Sequence, residues 1–140
     1  MRSKAIPYGK RILIADDDPL VRDLLSSMVR KEGYDAVVVD DGRKAFRILQ
    51  SDADFRAGIF DTAMPHLEGL DIISYMMTEN RLRRIPVLMI SAERDLKVMA
   101  KGLAAGATVF LTKPFTTDRL QSTLRILLNN PVAPRESFQR

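Results

Sequence analysis

The chain contains no cysteine. Neither a disulfide framework nor a thiolate metal site can be built from it. No apolar run approaches the ~20 residues that a membrane-spanning helix needs. The N-terminal stretch Met1-Arg2-Ser3-Lys4-Ala5-Ile6-Pro7 has no long apolar region behind its charges, so a signal peptide is not expected. A cytoplasmic protein without a membrane partner is the simplest expectation. Neither a P-loop nor a dinucleotide fingerprint occurs, which argues against nucleotide binding. An excess of one charge sign is also scarce outside one short stretch. The formal net charge is +4, but Arg2, Lys4, Lys10 and Arg11 are the only charged residues among the first eleven. The other 18 of the 22 basic residues face 18 acidic ones. The excess therefore lies at the N-terminal end, and the body is close to neutral. A short basic arm can touch nucleic acid or anionic lipid. A solvated terminus is the simpler reading, and no direct nucleic-acid binding is expected of this chain.

What is present suits one soluble globular domain: 140 residues, 46% of them apolar and 29% charged. Ile12-Leu13-Ile14-Ala15 reads as a buried strand. Asp16-Asp17-Asp18-Pro19 follows, with Asp18 a good helix N-cap and Pro19 suited to the first helical position. Leu20, Val21, Leu24, Leu25, Met28 and Val29 then make one helical face, closed at Glu32-Gly33. Tyr34 to Val39 is a second strand, rich in β-branched residues. Asp40-Asp41-Gly42 turns into a helix lined by Ala45, Phe46, Ile48 and Leu49. Gly58-Ile59-Phe60 is a third strand ending at Asp61, and Met64-Pro65 stops it. Leu70, Ile73, Met76 and Met77 mark a third helix. Arg81-Leu82-Arg83-Arg84 reads as a solvated basic loop. Val87-Leu88-Met89-Ile90 is a fourth strand running to Ser91. Leu96, Met99, Ala100 and Leu103 mark a fourth helix. Thr108 to Leu111 is a fifth strand, followed by Thr112-Lys113-Pro114-Phe115. Leu120, Leu124, Leu127 and Leu128 mark a last helix. Five strands alternating with five helices imply an α/β fold, a parallel sheet with right-handed crossovers and helices on both faces.

In such sheets ligands bind beyond the carboxyl ends of the strands. Those ends carry Asp16 and Asp17, Asp61, Ser91 and Lys113. Three carboxylates brought close would repel, so either their pKa values rise or a cation binds among them. Oxygen ligands without His or Cys suit Mg2+, and a lysine beside them suits a phosphate oxygen.

On these stretches the chain resembles a receiver domain of the two-component response regulators, the family that includes the chemotaxis regulator. The matching segments are 12–19, Asp61-Thr62-Ala63-Met64-Pro65 with Gly69, 85–92, Ala105-Gly106-Ala107, and Leu111-Thr112-Lys113-Pro114-Phe115. The resemblance implies a flavodoxin-like (βα)5 fold with strand order 2-1-3-4-5. It implies a receiver over residues 10–130, with a basic arm at 1–9 and a tail, or the start of a linker, at 131–140. It further implies that Asp61 is the phosphoacceptor. Asp17 would bind Mg2+ directly, Asp16 mainly through water, and the Ala63 carbonyl would be another ligand. Lys113 would hold the phosphoryl group, Ser91 would hydrogen-bond to it, and Phe110 would be the aromatic switch. The donor implied is a histidine kinase or a histidine phosphotransfer protein. The output face would be the fourth predicted helix, the fifth strand and the last helix, meeting an unidentified partner protein or forming a phosphorylation-dependent dimer. The expected role is that of a signalling phosphoacceptor, alone or within a longer regulator, rather than an enzyme with external substrates. Two other readings stay open at this point: an unphosphorylated receiver-like interaction module, and a Mg2+-dependent phosphohydrolase. The complete acid, serine and lysine set argues against the first. Ala63 argues against the second, because such enzymes often carry a second acid two residues after the nucleophile.

Overall fold

The computed structural model describes residues 10–92 and 96–129. The expected basic arm at 1–9 and tail at 131–140 lie outside them. Eleven elements follow in chain order among the described residues: β1 (Arg11–Ala15), α1 (Pro19–Lys31), β2 (Asp35–Val39), α2 (Gly42–Ser51), β3 (Ala57–Asp61), α3 (Gly69–Met77), α4 (Asn80–Arg83), β4 (Val87–Ala92), α5 (Leu96–Ala105), β5 (Val109–Lys113) and α6 (Thr117–Leu128). All four strand pairings are parallel, and the sheet order is β2-β1-β3-β4-β5. The expected α/β architecture and strand order are those observed.

Side chains alternate across each strand, so one strand feeds two cores. Leu13, Ala15, Phe60, Val87 and Met89 face α2, α3 and α4, with Leu49, Ile72, Ile73 and Met76 packed on them. Ile12, Ile14, Ile59, Leu88, Ile90 and Leu111 face α1 and α6, against Leu25, Val29, Leu120, Leu124 and Leu127. β3 is buried along its whole length, as a central parallel strand covered on both faces must be. Helix starts follow the local chemistry. Asp18 accepts from the Leu20 N–H ahead of Pro19, Asp41 from the Lys44 N–H, and Thr116 from the Arg119 N–H. Glu68 and Asp71 cap α3 reciprocally.

Three expectations need correction. Arg81-Leu82-Arg83-Arg84 is not a solvated loop. It belongs to the short helix α4 and its cap, a sixth helix where five were expected. Leu82 is fully buried under α3, and Arg84 donates through Nη1 to the Phe55 carbonyl at 3.1 Å and through Nη2 to that of Ala53. One apolar side chain among arginines gives no readable period, yet one is enough to anchor a single turn. Leu20 is 78% exposed, because it borders an open apolar groove with Val21, Leu24, Pro114 and Phe115 and does not enter the core. On α5, Leu96 and Leu103 are 70% and 46% exposed, and the helix packs through Gly102 instead. Only Lys97 and Lys101 are charged on this helix, so periodicity leaves a wide apolar face and does not single out its buried side.

Leu82→Ala should lower the unfolding free energy by about 3 kcal/mol, the usual loss for a fully buried leucine. Urea denaturation of the two chains measures it, and a loss below about 0.5 kcal/mol, the ordinary effect of a surface substitution, would show that α4 is only a surface turn.

Candidate functional site

β1 and β3 are neighbours in register, with Ala15 opposite Phe60. The residues that end them, Asp16 and Asp61, therefore emerge side by side. The ladder runs slightly past both strands: the Asp16 N–H donates to the Val39 carbonyl at 3.3 Å and the Thr62 N–H to that of Ile90 at 2.8 Å. Asp61 is 5% exposed. Its Oδ1 accepts from the Ala63 N–H at 3.2 Å, and its Oδ2 lies 3.3 Å from Lys113 Nζ. Asp16 is fully buried, and its Oδ1 accepts from the Asp18 N–H at 2.9 Å. Its Oδ2 accepts no hydrogen bond, although Lys113 Nζ is 3.7 Å away. Asp17 stands exposed at the rim, and carboxylate oxygens of Asp16, Asp17 and Asp61 lie within 4.8 Å of one another. The start of α3 is pressed against this centre. A Cβ on Gly69 would come 2.5 Å from the Asp61 carbonyl oxygen, so only glycine permits the approach.

The electrostatics follow from the burial. Desolvation pushes the Asp16 carboxyl up from 3.8 to about 6, against the Asp18 N–H and with help from the Asp61 charge. Burial also raises Asp61, against the Ala63 N–H and Lys113. Burial would lower Lys113, but the charges of Asp61 and Asp16 outweigh it and hold the ammonium above its ordinary range. Three carboxylates and one ammonium leave an uncompensated negative site. A buried, orphaned oxygen within an all-oxygen donor set fits a small hard dication such as Mg2+.

Of the residues singled out from sequence, Asp16, Asp17, Asp61 and Lys113 meet. Ser91 is buried at the end of β4, one step in register past the residue that faces Asp61, and its hydroxyl donates to the Ala92 carbonyl at 3.3 Å rather than to the acids. Ala63 contributes its N–H to Asp61. Phe110 lies away from the acids, opposite Met89 on the α5 side of the sheet. Sequence reasoning misses Arg22, whose Nη1 donates to the Asp16 carbonyl at 2.8 Å. A lone arginine on a solvent-facing helix position carries no signal of that contact.

Comparison with known proteins agrees with this geometry. The family model of the response regulator receiver domain matches residues 12–125. Chemotaxis protein CheY1 of Helicobacter pylori strain J99 is 30% identical over 119 residues, covering 84% of this chain and 96% of its own length. Among solved structures, the chemotaxis response regulator CheY4 of Vibrio cholerae superposes with a TM-score of 0.77 at 29% identity, covering 86% of this chain and 99% of that one. The receiver domain of the sensor histidine kinase PA1611 from Pseudomonas aeruginosa, with a magnesium ion coordinated in its active-site cleft, gives 0.76 at 27% identity, covering 87% and 99%.

A raised carboxyl pKa means that the folded chain binds protons more tightly than the unfolded one. The stability this confers is present at low pH and is lost as pH climbs from 3.8 toward about 6. For Asp16 that loss is at most about 3 kcal/mol. In EDTA at pH 8, Asp16→Asn should therefore melt several degrees above the unsubstituted chain. Thermal scans at pH 5 and pH 8 test this, and an equal or lower midpoint for the variant at pH 8 would show that the buried charge carries no penalty.

Proposed function

The chain belongs to the response regulator receiver domain family, and on that premise we propose that it accepts a phosphoryl group on Asp61 from a phosphohistidine of a kinase or phosphotransfer protein. The observation that carries this reading is the meeting of Asp16, Asp17 and Asp61 at one sheet edge with Lys113 Nζ 3.3 Å from Asp61. Asp61 Oδ2 is the nucleophile, and Oδ1 stays oriented by the Ala63 N–H. The step forms an O–P bond and breaks a P–N bond. The electron pair returns to the imidazole nitrogen, which then takes a proton. Lys113 neutralises charge on the transferred oxygens, and the close packing of Gly69 keeps the Asp61 backbone rigid. Asp16, Asp17, Asp61 and the Ala63 carbonyl would hold Mg2+. Bound there, the ion would keep Asp61 ionised and draw off charge from the phosphoryl oxygens. In this reading the protein is a cytoplasmic signalling phosphoacceptor that assists its own phosphorylation and dephosphorylation, and it spans residues 10–130. Among the described residues no helix is long and apolar enough to cross a membrane.

Output would follow from the added charge, close to two units. Ser91 would leave the Ala92 carbonyl for the new phosphoryl oxygens, and Phe110 would move into the space released. The packing of the ring against α5 is what supports this reading. Phe110 is half-buried, and a Cβ on Gly102 would lie only 3.1 Å from its Cε2, so the missing side chain of Gly102 is what admits the present position. Outside this contact α5 exposes Leu96, Ala100 and Leu103, and α6 exposes Arg119. We take this face of α5, β5 and α6 as the surface for an output partner or for a second copy. The protein would serve alone or as the receiver of a longer regulator.

Two experiments check this reading. With Mg2+ and a small phosphodonor, hydroxylamine trapping and mass spectrometry should locate the acyl phosphate on Asp61, and full labelling of Asp61→Asn would overturn the assignment. Beryllium fluoride should shift the amide resonances of α5 in the unsubstituted chain and shift them less in Phe110→Ala. Identical shifts in both would show that the signal leaves the site by a route without Phe110.

A further inference from the structure

We propose that Arg22 is a positioning residue for the acidic pair: its guanidinium fixes the peptide between Asp16 and Asp17 and so aims the Asp17 carboxylate into the space shared with Asp16 and Asp61. The inference rests on the phosphoacceptor reading and adds a residue which that reading does not use.

The backbone leaves the sheet at this peptide. Upstream, the Asp16 N–H is tied to Val39. Downstream, the Asp18 N–H is tied to Asp16 Oδ1, and the Arg22 N–H makes the first helical bond to the Asp18 carbonyl. The Asp16 carbonyl lies past the last residue of β1 that pairs in the ladder. Arg22 Nη1 reaches back one helical turn and supplies a donor at 2.8 Å. A carbonyl oxygen and the next Cα share one rigid plane. Holding the Asp16 oxygen therefore holds the Asp17 N and Cα, and the Asp18 N–H bond to Asp16 Oδ1 limits the turn of Asp17 from the other side. Asp17 needs this. Its carboxylate is exposed and accepts no hydrogen bond among the described residues, whereas Asp16 and Asp61 are each oriented by a backbone N–H. Arg22 is half-buried at the end of β2, where it borders a groove with Val38, Val39 and Lys44 and lies near enough to Asp40 for its charge to help the Lys44 hydrogen bond lower that carboxyl. A lysine could not substitute. It would keep the charge but lose the planar fork and the reach of the guanidinium.

The sign of one measurement separates positioning from charge. A cation near three carboxylates opposes a dication, so if Arg22 acted only through its charge, removing it would tighten Mg2+ binding. If it positions Asp17, removing it weakens binding despite the relief of repulsion. Titration calorimetry with Mg2+ on the full chain should give affinities about tenfold weaker for both Arg22→Met and Arg22→Lys, the lower end of the effect of an outer-shell partner. In the metal-free protein the Asp17 amide resonance should move in both variants. Equal or tighter Mg2+ binding by Arg22→Met overturns the proposal, as does full affinity in Arg22→Lys. A loss of affinity that only tracks the unfolded fraction, read by circular dichroism in EDTA, shows a packing role and overturns it too. No Mg2+ heat from the unsubstituted chain would overturn the phosphoacceptor reading itself, and this inference with it.

Discussion

The constraint on which this structure turns is the burial of carboxylate charge at the end of a parallel sheet. Asp16 is fully buried and Asp61 nearly so, and both have raised pKa values for that reason. Such groups are tolerated only where donors or countercharge surround them. Here the donors are backbone N–H groups of Asp18 and Ala63, and the countercharge is Lys113. Lys113 comes from β5 and must pass the end of β4 to reach β3 and β1. β4 ends in Ser91 and Ala92, two small side chains, and Ala92 pairs with Lys113 in register. The path of the ammonium is thus prepared by residue size as much as by charge. The compensation is partial, since Asp16 Oδ2 remains without a hydrogen bond. A site left short of positive charge is one that gains stability when a cation binds.

The same sheet connects this edge to a surface. Alternation places Phe110 on the α5 face while Val109 and Leu111 pack toward α1 and α6. Ser91 and Phe110 lie on adjacent strands, β4 and β5. Phe110 pairs with Met89, two residues before Ser91 on β4, and on its other side it packs on Gly102 of α5, the arrangement on which the proposed switch rests. Gly102 is unfavourable in a helix interior by roughly 1 kcal/mol relative to alanine. Its close approach to Phe110 is the packing reason for it.

The opposite end of the sheet is held by arginines rather than opened for ligands. Arg11 pairs with Asp52 at 2.7 Å and stacks over Phe55 at 4.3 Å. Arg84 satisfies the Phe55 and Ala53 carbonyls, and Arg56 reaches the Leu128 carbonyl. Arg84, expected in a solvated loop, is thus structural here, because loop carbonyls without ladder partners need donors.

The sequence by itself determined the α/β class, the strand ends and the acidic and basic residues at them. These follow from patterns within a few residues, such as the apolar run 12–15 stopping at Asp16, or Asp18 ahead of Pro19. Through resemblance it also carried the strand order and the pairing of Asp16 and Asp17 with Asp61. Only the tertiary structure decided what depends on contacts far apart in sequence. Leu82 is buried because α3 covers it, and no neighbour in the chain signals that. On α5 the narrow polar stripe of Lys97 and Lys101 leaves a wide apolar face, and the sheet chose Gly102 from it. The depth of Asp16, the orphaned Oδ2 and the hold of Arg22 on the Asp16 carbonyl arise where helix, strand end and loop meet. No single segment contains that meeting, because the energy of a buried charge is set by everything that displaces water around it.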